Sequence, residues 1–308
     1  MMNGNLRVKR IKAVKKYLFV LSLIGIQLII FGVFYIGVNF NSILMAFQNV
    51  KADGSVVYTF DNFRLFFENF KNTSGLWIAL RNTLIFFFFG LAMLPISFTT
   101  SYFMYKKVWG HKIFRVVFFF PTIISSVVWT NIYIYFVGKA SPIAGLFQQL
   151  MGLEFPPLFL GDTRYAMVFV VLYSFWLGIA ANFILFSGAL VRIPSSVIEA
   201  GKLDGIGWFG ELTKIVIPLV WPTLSTMVLL HLTGIFTASG EILLLTNGGY
   251  DTNTISFLIF ANVYNGGSPS TSGTHRYAAA IGLFFTVLTF PILFFVTKLL
   301  NRVEDVKY

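Results

Sequence analysis

Three charged side chains, Glu199, Lys202 and Asp204, lie in a short segment between two long uncharged stretches. Their apolar neighbours are Leu203, Ile206, Trp208 and Phe209. This spacing does not suit acid–base or nucleophilic chemistry. A short helix with few charges and apolar knobs instead suits docking into a groove on a partner. The segment therefore predicts a protein–protein contact.

The same segment predicts its own local structure. Ser195 is expected to cap a short helix over 196–203. The Asp204-Gly205 pair is typical of a helix end, because glycine accepts a positive φ. A second short helix over about 207–213 completes a predicted helix–turn–helix.

A second set of side chains lies inside or beside the uncharged stretches and can form hydrogen bonds or stack. Such groups together can hold a polyhydroxylated ligand, which has both polar edges and apolar faces. The candidates are Asn131, Tyr133, Tyr173, Trp176, Asn182, His231, Thr237 and Glu241. Ser, Thr, Asn and His also hold membrane helices together, so helix packing is the alternative for each of them.

The sequence does not contain residues spaced like an enzyme site. It has no Cys and no cluster of His, Glu and Cys at metal-ligand spacing, so we expect no metal and no cofactor in this chain. The phosphate-binding pattern GxxxxGK[ST] is also absent. We therefore expect no catalytic residue.

Composition indicates which elements position these residues. Of 308 residues, 56% are hydrophobic and only 11% are charged, against roughly 25% charged in soluble domains. So few charges cannot cover a water-facing surface, which excludes an ordinary soluble domain. The net charge of +11 does not indicate a nucleic-acid partner, because the basic residues cluster at the ends of apolar runs.

Six long stretches lack Asp, Glu, Lys and Arg. Each is long enough for a spanning helix, which needs about 20 mostly apolar residues. The stretches are 17–50, 82–105, 116–138, 165–191, 215–240 and 277–297. The predicted fold class is all-α, a polytopic membrane protein with six transmembrane helices.

Shorter features complete the predicted topology. The first apolar run continues to about residue 40, beyond the length of a signal peptide, so we expect a retained signal-anchor helix. The stretch from Ile255 to Tyr264 is too short to span and predicts a short helix packed into the outer mouth. The segments 52–78, 139–163 and 241–276 are rich in turn residues and are predicted to be loops.

The distribution of Lys and Arg predicts the orientation. With six spans both termini share a side, and that side carries sixteen of the 23 basic residues. The positive-inside rule then places both termini in the cytoplasm of a bacterial inner membrane. The predicted parts are a basic N-terminus (1–16), a first transmembrane helix (17–40), an extracytoplasmic loop (41–78), a five-helix core (79–300) containing the docking loop (192–218), and a cytoplasmic tail (301–308).

Segment 192–222 resembles the EAA loop of binding-protein-dependent importer permeases of the ATP-binding-cassette (ABC) class. The family pattern is roughly E-A-A-x-x-D-G-A, then an aromatic residue, I-x-L-P and a further Pro. The matching residues are Glu199, Ala200, Asp204, Gly205, Phe209, Ile215, Pro218 and Pro222. Gly201 and Ile206 replace two of the Ala residues, and Ile217 replaces Leu.

Further motifs resemble carbohydrate-uptake permeases of the maltose type. Residues 80–84 are similar to the L-x-N-T-L opening of the family's transmembrane region. Residues 246–249, T-N-G-G, and residues 277–280, Y-A-A-A, are similar to that family's T-N-G-G-P and G-Y-A-x-A motifs. Tyr250 stands where Pro is usual.

The resemblance implies a translocation subunit rather than an enzyme. Its implied partners are a cytoplasmic ABC ATPase dimer that binds ATP and Mg, a second homologous permease subunit, an extracytoplasmic solute-binding protein and membrane lipid. Glu199 would pair with a basic residue of the ATPase, and Gly205 would permit the tight turn. The implied coupling residues are Glu199, Ala200, Gly201, Asp204, Gly205 and Phe209. The path would carry a sugar or oligosaccharide.

Other functions stay open on sequence alone. An importer subunit for phosphate, polyamine or peptide would carry the same EAA loop, and only the T-N-G-G stretch favours a sugar. An ion-coupled secondary transporter would predict paired intramembrane carboxylates or a repeated half, and neither is evident.

Overall fold

The computed structural model describes residues 2–51, 53–264 and 272–303, which form a mainly helical chain, as predicted. The helices are α1 Met2–Ile30, α2 Val38–Ala46, α3 Asp61–Asn72, α4 Ser74–Tyr105, α5 His111–Ile123, α6 Ser126–Val137, α7 Pro142–Met151, α8 Ala166–Leu190, α9 Ser195–Leu203, α10 Trp208–Gly210, α11 Ile217–Thr233, α12 Gly240–Leu245, α13 Ile255–Tyr264 and α14 Ser272–Leu300. Two π-helical segments and one hairpin complete the chain: π1 Phe31–Gly37, π2 Glu211–Val216, β1 Gln48–Val50 and β2 Val56–Tyr58. The chain divides into two compact units, 1–66 with 267–283 and 67–266 with 284–308.

The first unit contains the N-terminal helix. The apolar part that the structure describes, Val14–Ala46, is long enough to cross a membrane. None of the residues in its most apolar stretch is buried. Apolar side chains exposed over this length must be covered by lipid or by another chain. The helix ends at Ala46, where the Asn62 side-chain amide donates to the Ala46 and Gln48 carbonyl oxygens at 3.0 and 2.9 Å.

A small hairpin follows this helix in the same unit. β1 and β2 pair antiparallel, with Gln48 opposite Tyr58. The turn between them uses Gly54 at a φ of +81°. The Ser55 hydroxyl and backbone N–H both donate to Asp53, and these hydrogen bonds lower the pKa of the Asp53 carboxyl.

The second unit is built on two long helices that pack together, α4 and α8. Leu94, Phe98 and Tyr102 of α4 share one hydrophobic core with Phe186 and Leu190 of α8. The described chain has five helices long and apolar enough to cross a membrane, or six if the bent pair of helices counts as one span. The predicted number of six is therefore reached only through that broken span.

The third predicted span, 116–138, is not one helix. α5 and α6 replace it, and α5 makes an angle of 110° with the segment Ser126–Met151, which contains α6 and α7. Ile124 and Ser125 at this break have ψ angles of 142° and 139°, outside the helical region. Pro121 weakens the last turn of α5 because it lacks an N–H. The Trp129 indole N–H donates to the Pro121 carbonyl oxygen at 3.1 Å and holds the two helices in this bent arrangement.

The fifth predicted span, 215–240, has different limits in the structure. The helical run begins at Trp208, passes through π2 and ends at Thr233. Gly234 follows the last turn, and the Thr237 hydroxyl donates to its carbonyl oxygen at 2.6 Å. An absence of charge does not reveal where a helix stops, and glycine is a poor helix former. The remainder of the stretch is a turn leading into α12.

The segments predicted to be loops contain short helices. α3, α7, α12 and α13 all lie within or overlap them. α7 shows why they form: the Ser141 hydroxyl accepts from the Ala144 N–H at 3.1 Å, Pro142 stands in the first turn, and Gly152 ends the helix at a φ of +63°. The predicted helix from Ile255 to Tyr264 is confirmed as α13.

Candidate coupling loop and membrane cavity

The docking segment begins at the end of α8 and is anchored by apolar residues. Ile193 and Ile198 are buried in the core formed by α4, α8 and α11. Pro194, with extended backbone, occupies the N-cap position of α9, and no side chain caps this helix. The prediction that Ser195 caps the helix is therefore wrong. The ring of Pro194 fixes the backbone φ angle at the N-cap position, so the helix already begins at Ser195.

The turn after α9 is a Schellman motif. The Gly205 N–H donates to the Lys202 carbonyl at 3.1 Å, and the Ile206 N–H donates to the Gly201 carbonyl at 3.0 Å. Gly205 has a φ of +75°, as predicted for the Asp204-Gly205 pair. A side chain at this position would be strained, because L-residues rarely adopt positive φ.

The segment presents both charges and apolar knobs to its surroundings. Leu203 is 90% exposed, and Trp208 and Phe209 are 59% and 62% exposed. Five of the six predicted coupling residues are also exposed: Glu199, Ala200, Asp204, Gly205 and Phe209. We define these residues with Leu203 and Trp208 as the docking surface.

Gly201, the sixth predicted coupling residue, faces inward. It is buried, and a Cβ at this position would come within 2.5 Å of the Ile215 Cδ1 atom. The Ile215 side chain therefore fills the space that an alanine would use. Any effect of Gly201 on a partner is exerted through packing rather than contact.

The second arm of the segment is continuous with the following helix. α10, π2 and α11 form one helical run over Trp208–Thr233, so a separate short helix over 207–213 does not form. Leu212 and Val216 of π2 are buried in the same core as Ile198. A partner that moves this arm therefore acts directly on a membrane-length helix.

Glu211 in π2 is a charged residue that the sequence reasoning missed. It is only 4% exposed. The Lys106 ammonium at the end of α4 donates to both carboxylate oxygens at 2.8 Å, and the Tyr102 hydroxyl donates to Oε1 at 3.0 Å. The only signal in the sequence was an acidic residue four positions before an uncharged stretch, with Lys214 between them. Its partners lie more than 100 positions away and could not be inferred.

A cavity of about 320 Å³ brings three of the predicted path residues together. His231, Thr237 and Glu241 line it, and the complete lining is Phe86, Phe87, Ser174, Leu230, His231, Gly234, Ile235, Thr237, Ala238 and Glu241. It forms where the helix breaks after α11, so the broken backbone lines a space instead of facing lipid. This is the candidate substrate cavity.

His231 forms one wall of the substrate cavity. Its Nε2 donates to the Phe87 carbonyl oxygen at 3.1 Å, and its ring stacks on the Phe87 ring with centroids 5.6 Å apart. Gly90 lies directly beneath the imidazole, and a Cβ at this position would overlap the ring. The helix-packing alternative thus holds for His231, and the same ring also faces the cavity.

The other predicted path residues lie on α6 and α8, outside the cavity lining. The Tyr133 hydroxyl donates to the Phe169 carbonyl at 2.7 Å, and Tyr173 shares a 2.8 Å hydrogen bond with Thr130. Trp176 packs edge-on against Trp129. Asn131 is exposed and bonds within its own helix, and Asn182 is half-buried on α8. In the structure, Tyr133, Tyr173 and Trp176 serve helix packing.

The T-N-G-G stretch and the residues after it form a tight turn, which we name the mouth loop (246–254). Positive φ angles occur at Asn247, Gly248, Tyr250 and Asp251. At Tyr250 the φ of +55° is one that proline cannot adopt, since its ring fixes φ near −65°. The departure from the family pattern at this position therefore matches a backbone that excludes proline.

Asn82 and Thr83 of α4 hold the mouth loop in place. The Asn82 amide donates to the Asp251 and Asn253 carbonyl oxygens at 2.6 and 2.8 Å. The Thr83 hydroxyl accepts from the Ile255 N–H at 3.0 Å, at the start of α13. Both side chains are buried. The motif noted at 80–84 thus contacts the mouth loop, which begins with the motif at 246–249.

A second cavity of about 330 Å³ lies in the segment between α7 and α8. Its lining includes Asp162 and Arg164, whose side chains form an ion pair at 2.6 Å. Hydrogen bonds from Arg164 lower the pKa of the Asp162 carboxyl, and the same contact raises the pKa of Arg164. The Arg164 side chain is exposed, so water screens the pair and it contributes little to stability.

The relatives of this chain are transport permeases. It is 28% identical over 199 residues to the multiple sugar-binding transport system permease protein MsmF of Streptococcus mutans, covering 64% of this chain and 66% of MsmF. The chain thus spans just under two thirds of that relative's length. It is 24% identical over 275 residues to the sn-glycerol-3-phosphate transport system permease protein UgpA of Shigella dysenteriae, covering 89% of this chain and 91% of UgpA.

A solved structure has the same fold. It is that of a bacterial ABC transporter involved in the import of the acidic polysaccharide alginate. One of its chains superposes with a TM-score of 0.78 at 21% identity, covering 95% of this chain and 98% of that chain. The two chains therefore share an overall fold.

The family itself is shown by a sequence match over most of the chain. The model of the binding-protein-dependent transport system inner membrane component matches residues 92–305, which include the docking surface, the mouth loop and the lining of the substrate cavity except Phe86 and Phe87. The chain is accordingly a multi-pass membrane protein that belongs to the family of binding-protein-dependent transport system inner membrane components.

Proposed function

We propose that this chain is the translocation subunit of an ABC importer for an uncharged sugar or oligosaccharide. The observation that carries the proposal is the docking surface, which belongs to a helix–turn–helix. Its apolar side chains Leu203, Trp208 and Phe209 are exposed, while Ile198 and Leu212 of the same segment are buried among the membrane helices. Such a surface suits insertion into a groove on a motor protein. Family membership and the relatives support the same conclusion.

The partners follow from this assignment. A separate ATPase dimer binds ATP and Mg and receives the docking surface, and Glu199 pairs with a basic residue of that ATPase. A second, homologous permease subunit covers the apolar helix faces that this chain leaves exposed. A solute-binding protein delivers the substrate on the opposite side. Both termini lie in the cytoplasm, consistent with sixteen of the 23 basic residues on that side.

The substrate cavity favours an uncharged ligand over a phosphorylated one. Among the described residues that line it, Glu241 is an acid and none is Lys or Arg. A phosphate group would need such cations or a cluster of N–H donors, and the carboxylate would repel it. Aromatic rings at Phe86 and Phe87, with polar groups at Ser174, Thr237 and Glu241, suit the faces and hydroxyls of a sugar ring.

Purification and uptake measurements test the proposal. A tag on this chain should co-purify an ATPase, a second permease and, when substrate is present, a solute-binding protein. Proteoliposomes containing this complex should take up uncharged oligosaccharides only when ATP is available to the ATPase. Uptake that persists without ATP and stops with a proton uncoupler would identify a secondary transporter instead. Preferential uptake of sn-glycerol-3-phosphate would overturn the substrate class.

A further inference from the structure

The buried charge cluster of the second unit lies at the root of the docking surface. Glu211 accepts hydrogen bonds from Lys106 and Tyr102, both near the end of α4. The Tyr102 hydroxyl also lies 3.3 Å from the Trp208 carbonyl oxygen. Trp208 belongs to the docking surface itself. A partner that contacts this surface is thus only three residues from an ion pair that reaches α4.

The ion pair is partly buried, with the Lys106 and Glu211 side chains 24% and 5% exposed, and such a pair is an inefficient way to stabilise a fold. Removing two charges from water carries a desolvation penalty that can exceed their mutual attraction, so a pair of apolar side chains would serve at least as well. What an ion pair adds is a fixed register between two elements. Glu211 also opens a π-helical segment, and such segments are frequent at functional sites.

α4 extends from this ion pair to the substrate cavity. The helix runs without interruption from Ser74 to Tyr105. Phe87 lines the cavity and accepts the His231 hydrogen bond, and Asn82 holds the mouth loop. With a rise of 1.5 Å per residue, about 28 Å of helix separates Lys106 from Phe87. A shift of α4 at its Lys106 end would therefore also move the parts of α4 that line the cavity and hold the mouth loop.

We propose that Lys106 and Glu211 are positioning residues that transmit movement of the docking surface to α4, and through α4 to the substrate cavity. Coupling between distant sites can be carried by packed side chains, ion pairs and rigid helices. The ion pair joins the helical run Trp208–Thr233 to α4. The inference rests on the proposed function, because the movement originates in the ATPase.

Four variants of the complete reconstituted complex test the inference. Lys106→Met and Glu211→Gln each break the pair, Lys106→Met with Glu211→Gln removes both charges, and Lys106→Glu with Glu211→Lys restores a pair in reverse order. Lys112→Met is the matched control, since Lys112 is an exposed lysine on the same side of the chain. The measured quantity is substrate taken up per ATP hydrolysed, normalised to the amount of complex.

We expect both single variants and the double neutral variant to lower uptake per ATP by about tenfold, within the roughly 5- to 150-fold range of typical coupling between sites. ATP hydrolysis itself should continue. The reversed pair should recover part of the loss, and Lys112→Met should behave like the wild type. Recovery by charge reversal would not be expected from a residue that only fills space.

Two results would overturn the inference. One is wild-type uptake per ATP in all four variants once the amount of complex is normalised. The other is loss of the complex from the membrane in every variant, including the double neutral one, since this would show a purely structural role. Failure of the proposed function is separate from both. It would appear as a wild-type complex that takes up no solute with ATP.

Discussion

Glu199 is the exposed acid of the docking surface, with Leu203 and Phe209 on the same surface. In the part of the second unit that the structure describes, Glu199 forms no ion pair. Its charge is therefore available to a partner. An interface of this kind derives binding energy from the apolar knobs and orientation from the charge. Changes at this one residue should therefore act on association rather than on folding.

We predict that Glu199→Lys abolishes uptake and weakens association with the ATPase. A like charge placed against a basic residue costs several kcal/mol. Co-purification of the ATPase with the tagged chain measures this directly. Glu154→Lys is the matched control, because Glu154 is exposed in the segment between α7 and α8. Normal uptake by the Glu199 variant would end the role assigned to this residue.

The Asn82 side chain holds the mouth loop in place. We predict that Asn82→Ala lowers the free energy of unfolding by roughly 1–3 kcal/mol, because it removes two partly buried hydrogen bonds to the Asp251 and Asn253 carbonyls. Thermal unfolding of the purified complex measures the effect. Asn131→Ala should change little, since that amide is exposed and bonds within its own helix. Equal effects of the two substitutions would contradict the prediction.

Among the elements, the Schellman turn at Gly205 sets the angle between α9 and the helical run that begins at Trp208. These two helices are the arms of the coupling loop. Gly205 provides its positive φ, and Gly207, two residues later, has an ordinary φ of −72°. Neither glycine is crowded, since a Cβ at either position would meet no atom within 4 Å. The two positions therefore differ in backbone conformation alone and form a matched pair.

We predict that Gly205→Ala reduces ATP-driven uptake while the protein remains in the membrane. Forcing an L-residue into the left-handed region costs about 1–2 kcal/mol, which the turn can relieve by changing the angle between its arms. Uptake and membrane abundance should be measured together, with Gly207→Ala as the control. Disappearance of the Gly205 variant from the membrane would indicate a structural role instead.

Elements differ in how far the sequence reveals them. The Asp204-Gly205 turn and helix α13 were predictable, because local residue types decide them. The break between α5 and α6 was not, since it depends on the Trp129 indole reaching the Pro121 carbonyl as well as on Pro121 itself. The ion pair between Lys106 and Glu211 could not be predicted for a different reason. Pairing across more than 100 residues follows from the packing of α4 on α8 and α11, which no local pattern encodes.

At the scale of the whole molecule, the proposed orientation gives a test that the chain itself makes simple. It contains no native cysteine, so a single introduced cysteine reports on one position. Leu203 is 90% exposed in the docking surface, and Leu150 in α7 is 83% exposed. By the proposed topology these two positions lie on opposite sides of the membrane.

We predict that a membrane-impermeant thiol reagent added to intact cells labels Leu150→Cys and not Leu203→Cys. Opening the membrane should make Leu203→Cys reactive, because its side chain is then accessible to the reagent. The unmodified chain is the control and should not be labelled. Labelling of Leu203→Cys from outside would invert the topology and remove the docking surface from the reach of any cytoplasmic ATPase.

The contact between Gly90 and His231 gives the substrate cavity an adjustable size. Only hydrogen occupies the space beneath the imidazole, so the ring can lie back against α4 and leave the volume in front of it open. A methyl group at position 90 would push the ring forward into that volume. In the proposed substrate cavity, a single small residue outside the lining would therefore set the bulk of solute that fits.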